Sequence, residues 1–207
     1  MHIVINSTAQ QKEYIEPIFS NLAITVSFIS DGLNWPIADA YIDFSYEEKG
    51  YAFSKITDSP VLVNSVIETA GHLPGNCIRF NGWPGFLQKG CIEIAAANEL
   101  ALKNAINIIQ QMGLNYIEAP DEPGMFSARV LAMIINEAYF GLGENISSKK
   151  EIDTAMKLGT NYPFGPFEWS EMIGLHKVVQ LLTVLSKSNE RYAIAPAMMI
   201  ELNKNKN

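Results

Sequence analysis

The sequence predicts a chain of the α/β + α class, with a small, largely parallel sheet domain over residues 1–118 and an all-helical domain over residues 119–207. Three observations carry this. Short β-branched and aromatic runs alternate with polar helical segments as far as Ile117, the order expected of parallel strands joined by crossover helices. Beyond Ala119-Pro120-Asp121-Glu122-Pro123, long stretches rich in Ala, Ile, Leu and Met carry no strand punctuation. Finally, 207 residues that are 48% apolar and 18% charged can bury a sizeable core in one large domain or two small ones.

Taken in order, Ile3-Val4-Ile5 is the first strand candidate. Behind Ser7-Thr8, the polar run Gln10 to Glu16 opens a helix in which Ser7 or Thr8 serves as N-cap. Ile24 to Ile29, Ala40 to Phe44 and Pro60 to Asn64 have the composition of further strands. From Asn98 to Met112, the spacing of Leu100, Leu102, Ala105, Ile106, Ile108 and Ile109 builds one apolar helix face. Gly113 stands where a helix end needs a positive φ, and Leu114 to Ile117 returns as a strand.

The second half reads as helices throughout. Phe126 to Leu142 predicts one long helix, apolar around much of its circumference and so buried on more than one side through Met133 and Asn136. Ser148-Lys149-Lys150-Glu151 has the spacing of a capping box, and its helix should stop near Gly159. A third helix begins at Pro166 and a fourth runs through Val178 to Leu185, with Gly174 between them. The polar tail from Asn203 to Asn207 is expected to fray.

Composition excludes several functions. Fifteen Lys plus Arg against 22 Asp plus Glu give a net charge of −7, the wrong sign for binding phosphate backbones, so nucleic acid is not expected as a partner. Two cysteines, Cys77 and Cys91, and three histidines, His2, His72 and His176, form neither a disulfide framework nor a zinc ligand set, so no metal is expected. No apolar run reaches the length of about 18 residues needed to span a bilayer. Met1-His2-Ile3 also lacks the basic-then-apolar pattern of a leader; a cytoplasmic protein without membrane contact is the expectation.

Five segments then arrive in one order at consistent gaps: Asp121 to Arg129, Asn136-Glu137-Ala138, Glu151 to Gly159, Asn161 to Glu168, and Ile173-Gly174-Leu175. Together, with Arg191-Tyr192 and Pro196, this string resembles the C-terminal domain of the 3-hydroxyacyl-CoA dehydrogenase family. Upstream, Asp39 to Asp43, Val63-Asn64-Ser65, and Arg79 to Gly82 with Cys91 to Ile94 resemble that family's strand, turn and catalytic segments. The resemblance implies a Rossmann-like first domain, here shortened, a helical dimerisation domain, NAD as cofactor, and oxidation of a 3-hydroxyacyl-CoA to the 3-oxoacyl-CoA. It also implies an acyl-CoA or related small molecule as ligand and a homodimer.

A dinucleotide pyrophosphate needs a glycine-rich turn after the first strand, because the backbone must come close and offer N–H groups. Here the turn reads Asn6-Ser7-Thr8-Ala9-Gln10-Gln11 with no glycine before Gly32, so no cofactor-binding residue is assigned, although Asp31 lies in roughly the region of a ribose-binding acid. Removing hydride from a secondary alcohol needs a base, and the family uses a His held by a Glu, with a Ser and an Asn on the substrate oxygen. Glu93 matches the Glu and is the one candidate catalytic residue. Aligned on Arg79-Phe80-Asn81-Gly82, the His position falls on or beside Pro84. Ala128 stands for the Asn, and Val66, or Ser65 after a one-residue shift, stands for the Ser.

His72, on a loop flanked by Gly71 and Gly75, is the one histidine placed to substitute, and it reads first as a solvated loop residue. Trp83-Pro84-Gly85-Phe86 reads as core packing ahead of the lining of an apolar pocket. Two functions follow. One is a 3-hydroxyacyl-CoA dehydrogenase-like protein of fatty-acid and acyl-CoA metabolism without the glycine loop and catalytic His. The other is a non-catalytic acyl-group-binding or dimerisation protein derived from that family.

Overall fold

The computed structural model describes residues 1–30, 35–87 and 90–204, so Asp31 and residues 205–207 of the polar tail lie outside the described residues. The chain divides into two compact units, Met1–Met125 and Phe126–Asn207.

The first unit is built on one sheet. Its strands are β1 (His2–Asn6), β2 (Thr25–Ile29), β3 (Ala40–Asp43), β4 (Val61–Asn64), β5 (Cys77–Phe80), β6 (Cys91–Ala95) and β7 (Asn115–Glu118), in the order β2-β1-β3-β4-β5-β6-β7. Every neighbouring pair is parallel except β5 with β6, which is antiparallel. The reversal lies where, among the described residues, the two strands are joined without a crossover helix.

Helices α1 (Ala9–Phe19) and α3 (Glu99–Gln111) cover one face of the sheet, over Ile3, Ile5, Ile42, Leu62, Ile78 and Ile92. The other face, with Val4, Tyr41, Val61 and Val63, is covered by Trp35, Tyr51, Phe53 and Ile56 from irregular chain and by the one-turn helix α2 (Tyr46–Lys49). Strands β1, β3 and β4 are therefore apolar on both faces, and each buried aliphatic side chain contributes about 1.5–3 kcal/mol. The expected helix end at Gly113 has φ 76°.

The second unit is helical: α4 (Ser127–Gly143), α5 (Lys149–Thr160), α6 (Pro166–Ile173), α7 (Leu175–Ser186) and α8 (Pro196–Lys204). Helix α4 packs against α5, α6, α7 and α8. It buries Leu131, Ala132, Ile135, Asn136 and Tyr139 while Met133 is half-buried and Val130 is 59% exposed. Coverage is thus on one broad side, narrower than the sequence suggests, with Ala128, Ala132 and Ala138 among the buried residues.

Asn136 is a buried polar staple: its Nδ2 donates to the Ala193 carbonyl at 2.8 Å and its Oδ1 accepts from the Ala195 N–H at 2.9 Å. The capping box of α5 forms as expected, and the left-handed residue that ends this helix is Asn161, with Gly159 still helical. Gly174, at φ 98°, separates α6 from α7.

Candidate active site

In open parallel sheets, ligands sit outside the carboxyl ends of the strands, at the point where the strand order reverses. Here that point lies between β1 and β3, and polar side chains cross it. Asn6, at the end of β1 and 4% exposed, donates Nδ2 to Asp43 Oδ1 at 2.9 Å and to Ser45 Oγ at 2.7 Å. Asp43, fully buried at the end of β3, also accepts from the Ser45 N–H and, through Oδ2, from the Ala52 N–H at 2.9 Å. Burial pushes the Asp43 carboxyl above its ordinary range, and the donors from Ala52, Asn6 and Ser45 pull it only part of the way back.

The first turn beside this crossing is closed by its own residues. Thr8 caps α1: its Oγ1 accepts from the Gln11 N–H at 3.1 Å, and the Thr8 N–H donates to Gln11 Oε1 at 2.9 Å. The Gln11 side chain, 6% exposed, continues across the crevice to donate Nε2 to the Phe44 carbonyl and to Glu48 Oε2. Two N–H groups at the start of α1 are thus taken by side chains of the turn itself.

Further along the sheet edge, Asn64 ends β4, accepting from the Gly82 N–H at 2.9 Å and donating to the Phe44 carbonyl. Antiparallel pairing of β5 with β6 sets Asn81 against Glu93, with Asn81 N–H on the Glu93 carbonyl at 3.0 Å. Their side chains meet too: Asn81 Nδ2 donates to Glu93 Oε2 at 3.3 Å. Asn81 is 1% exposed and Glu93 8%.

The structure brings some of the sequence candidates together and leaves others apart. Glu93 lies in β6 beside the carboxyl end of β5, where it meets the side chain of Asn81, a residue that the alignment on Arg79 to Gly82 sets short of the His position. Antiparallel pairing across β5 and β6 could have pointed to Asn81, but the reversal of β6 is not visible in the sequence. Ser65 is fully buried and its Oγ donates to the Glu68 carbonyl at 2.9 Å. Val66 is fully buried, and Trp83 is 1% exposed. His72 is exposed on a 3-10 turn, Ala70–His72. His2 faces Ser27 Oγ at 2.9 Å at the start of β1, and His176 is exposed in the first turn of α7.

Residues 124–207 match the model of the 3-hydroxyacyl-CoA dehydrogenase C-terminal domain. The 3-hydroxyadipyl-CoA dehydrogenase of Escherichia coli is 34% identical over 161 residues, which is 75% of this chain and 34% of that protein. Over residues 124–207 the chain carries the C-terminal domain of the 3-hydroxyacyl-CoA dehydrogenase family. A crystal structure of 3-hydroxybutyryl-CoA dehydrogenase from Escherichia coli superposes with TM-score 0.61 at 33% identity, over 72% of this chain and 33% of that one. The (S)-3-hydroxybutyryl-CoA dehydrogenase of Ralstonia eutropha shares the fold, with TM-score 0.74 at 20% identity over 99% of this chain and 94% of that one. The chain spans about a third of the length of these curated relatives it matches. The Rossmann-type sheet unit followed by the family's helical domain is therefore the architecture of this chain.

Proposed function

We propose that this chain serves acyl-CoA metabolism without itself carrying out NAD-dependent oxidation of a 3-hydroxyacyl-CoA, and that its helical unit acts in assembly. The observation that carries this reading is the Asn81–Glu93 pair. A carboxylate can orient an imidazole and stabilise it when it takes a proton, but an amide takes no proton near neutral pH, and positioned general-base catalysis is worth roughly a hundred- to ten-thousandfold.

The first turn does not fit a dinucleotide. The Thr8 and Gln11 side chains satisfy N–H groups that a pyrophosphate would need. The buried Gln11 side chain and the Asn6–Asp43–Ser45 cluster also occupy the crevice at the strand reversal.

The test is spectrophotometric. With purified protein and saturating 3-hydroxybutyryl-CoA, NADH formation is expected to fall at least a hundredfold below that of a catalytically complete relative. Calorimetric titration with NAD is expected to give no saturation below about 1 mM, about −4 kcal/mol of binding free energy. Robust NADH formation abolished by Glu93→Gln would overturn the reading.

Assembly as a homodimer through the helical unit is the second element of the proposal. Supporting it, Val130 is 59% exposed on α4, next to half-buried Met133 and Ile134. Closed two-fold pairs are the commonest way to cover such a face. Light scattering at micromolar concentration should give twice the chain mass; a monomer mass would remove this element.

A further inference from the structure

Three N–H groups at the carboxyl edge of the sheet converge on one carboxylate. Glu47, carried by α2, accepts from the Val66 N–H at 2.8 Å and the Ile67 N–H at 3.3 Å through Oε1, and from the Trp83 indole N–H at 2.8 Å through Oε2. Two successive backbone N–H groups and an indole N–H directed at the two oxygens of one group is the donor arrangement of a carboxylate or acyl-oxygen site.

These donors are held by partners other than α2. The Val66 carbonyl accepts from the Gly124 N–H at 2.8 Å. The turn that follows is tied by Ser65 Oγ and by the Arg79 guanidinium, both donating to the Glu68 carbonyl. Trp83, 1% exposed, donates its backbone N–H to Asn81 Oδ1 at 3.2 Å, while Gly82 N–H is on Asn64 Oδ1. A Cβ at Gly82 would stand 2.7 Å from the Phe80 ring and 2.9 Å from Asn64, so the chain leading to Trp83 has little freedom to move. The carrier of the carboxylate is the lighter partner. Helix α2 is one turn of four residues, Glu48 and Lys49 are exposed, and the chain leaves through Gly50 at φ 80°.

We propose that the Val66 and Ile67 N–H groups and the Trp83 indole N–H form a binding site for a small carboxylate, occupied in this chain by its own Glu47. The donors are preorganised by the sheet edge, so removing the Glu47 side chain leaves their geometry in place and opens a space the size of a short carboxylic acid. An outside carboxylate therefore competes with Glu47 for the same three N–H groups, and α2 acts as a plug in cis.

The experiment uses the full chain and neither NAD nor CoA, so it is independent of the reading of the Asn81–Glu93 pair. Thermal unfolding of wild type and of Glu47→Ala is followed in sodium formate and in sodium chloride at equal ionic strength. Expected is a saturable rise in Tm for Glu47→Ala in formate over chloride, with no such difference for wild type. Trp83→Phe added to Glu47→Ala should weaken the formate midpoint about tenfold, the worth of one charge-assisted hydrogen bond. Equal responses to the two salts, a wild-type response equal to that of the variant, or a midpoint unmoved by Trp83→Phe overturns the proposal. If Glu47→Ala does not fold in chloride, the reading becomes recovery of folded protein in formate. Absence of recovery then overturns it as well.

Discussion

Arg79 is the side chain whose replacement should disturb the sheet unit most for its size. It is fully buried at the centre of β5, and its Nη1 and Nη2 donate to the carbonyls of Glu68 and Glu122 while Nε faces Asp121 Oδ1 at 3.3 Å. Asp121 in turn accepts from the Ala70 N–H at 2.9 Å. One guanidinium thus ties β5 to the turn after β4 and to the segment leading out of the sheet unit. Burial lowers its pKa against the pull of Asp121, Glu47, Glu93 and Glu122.

Arg79→Met keeps the aliphatic stem and removes the charge. Two hydrogen bonds from a charged donor, at about 1.5–3 kcal/mol each, are lost. The Asp121 carboxylate, 27% exposed, recovers some hydration. The expected cost is about 3–5 kcal/mol, the range for breaking one side of a buried ion pair. Urea unfolding followed by tryptophan emission in a Trp169→Phe background reports the sheet unit alone, since the remaining indoles are Trp35 and Trp83. Arg79→Lys should recover less than half of the loss, because one ammonium cannot reach two carbonyls in a planar fork. A cost below about 1 kcal/mol for Arg79→Met would refute the tether.

Three shorter predictions concern other regions. Gly165→Ala should destabilise the helical unit by about 1–3 kcal/mol through overpacking, because a Cβ there would stand 2.2 Å from Asp153 Oδ1, the acceptor of the Phe167 N–H. Gly159→Ala, where a Cβ meets open space, should raise Tm, and equal effects of the two would discount the contact. The Glu151 carboxyl, held down to about 2 by Ser148 and Ser147, keeps the capping box intact above the ordinary glutamate range and loses it as pH falls through about 2. An NMR midpoint of this carboxyl near 4 would contradict the box. Cys77 is 2% exposed, with Tyr51 Oη at 3.1 Å and a thiol pushed up to about 11 by burial, so a disulfide reagent at pH 8 should label half-exposed Cys91 first and Cys77 only on unfolding. Labelling at equal rates would count against the packing of β5.

By itself, the sequence determined the elements whose signals are local. The apolar spacing of α3, the positive-φ Gly113, the capping box at Ser148 and Glu151, and the breaks at Pro166 and Gly174 each need only neighbours a few residues away. The ordered string from Asp121 to Leu175 made the helical domain of the family legible in the same way, because its segments follow one another at fixed spacing along the chain.

Tertiary structure decided what depends on residues far apart in the chain. Glu93 was legible, but its partner Asn81 was not, since the two meet only because β6 runs against β5. The same holds for Gln11 reaching Phe44 and Glu48, for Asn6 reaching Asp43, and for Glu47 reaching Val66 and Trp83. Each is a polar side chain that reads as a surface residue in its own segment. Each is drawn inward because the carboxyl ends of parallel strands gather N–H groups and side chains from separate loops that must be satisfied once buried.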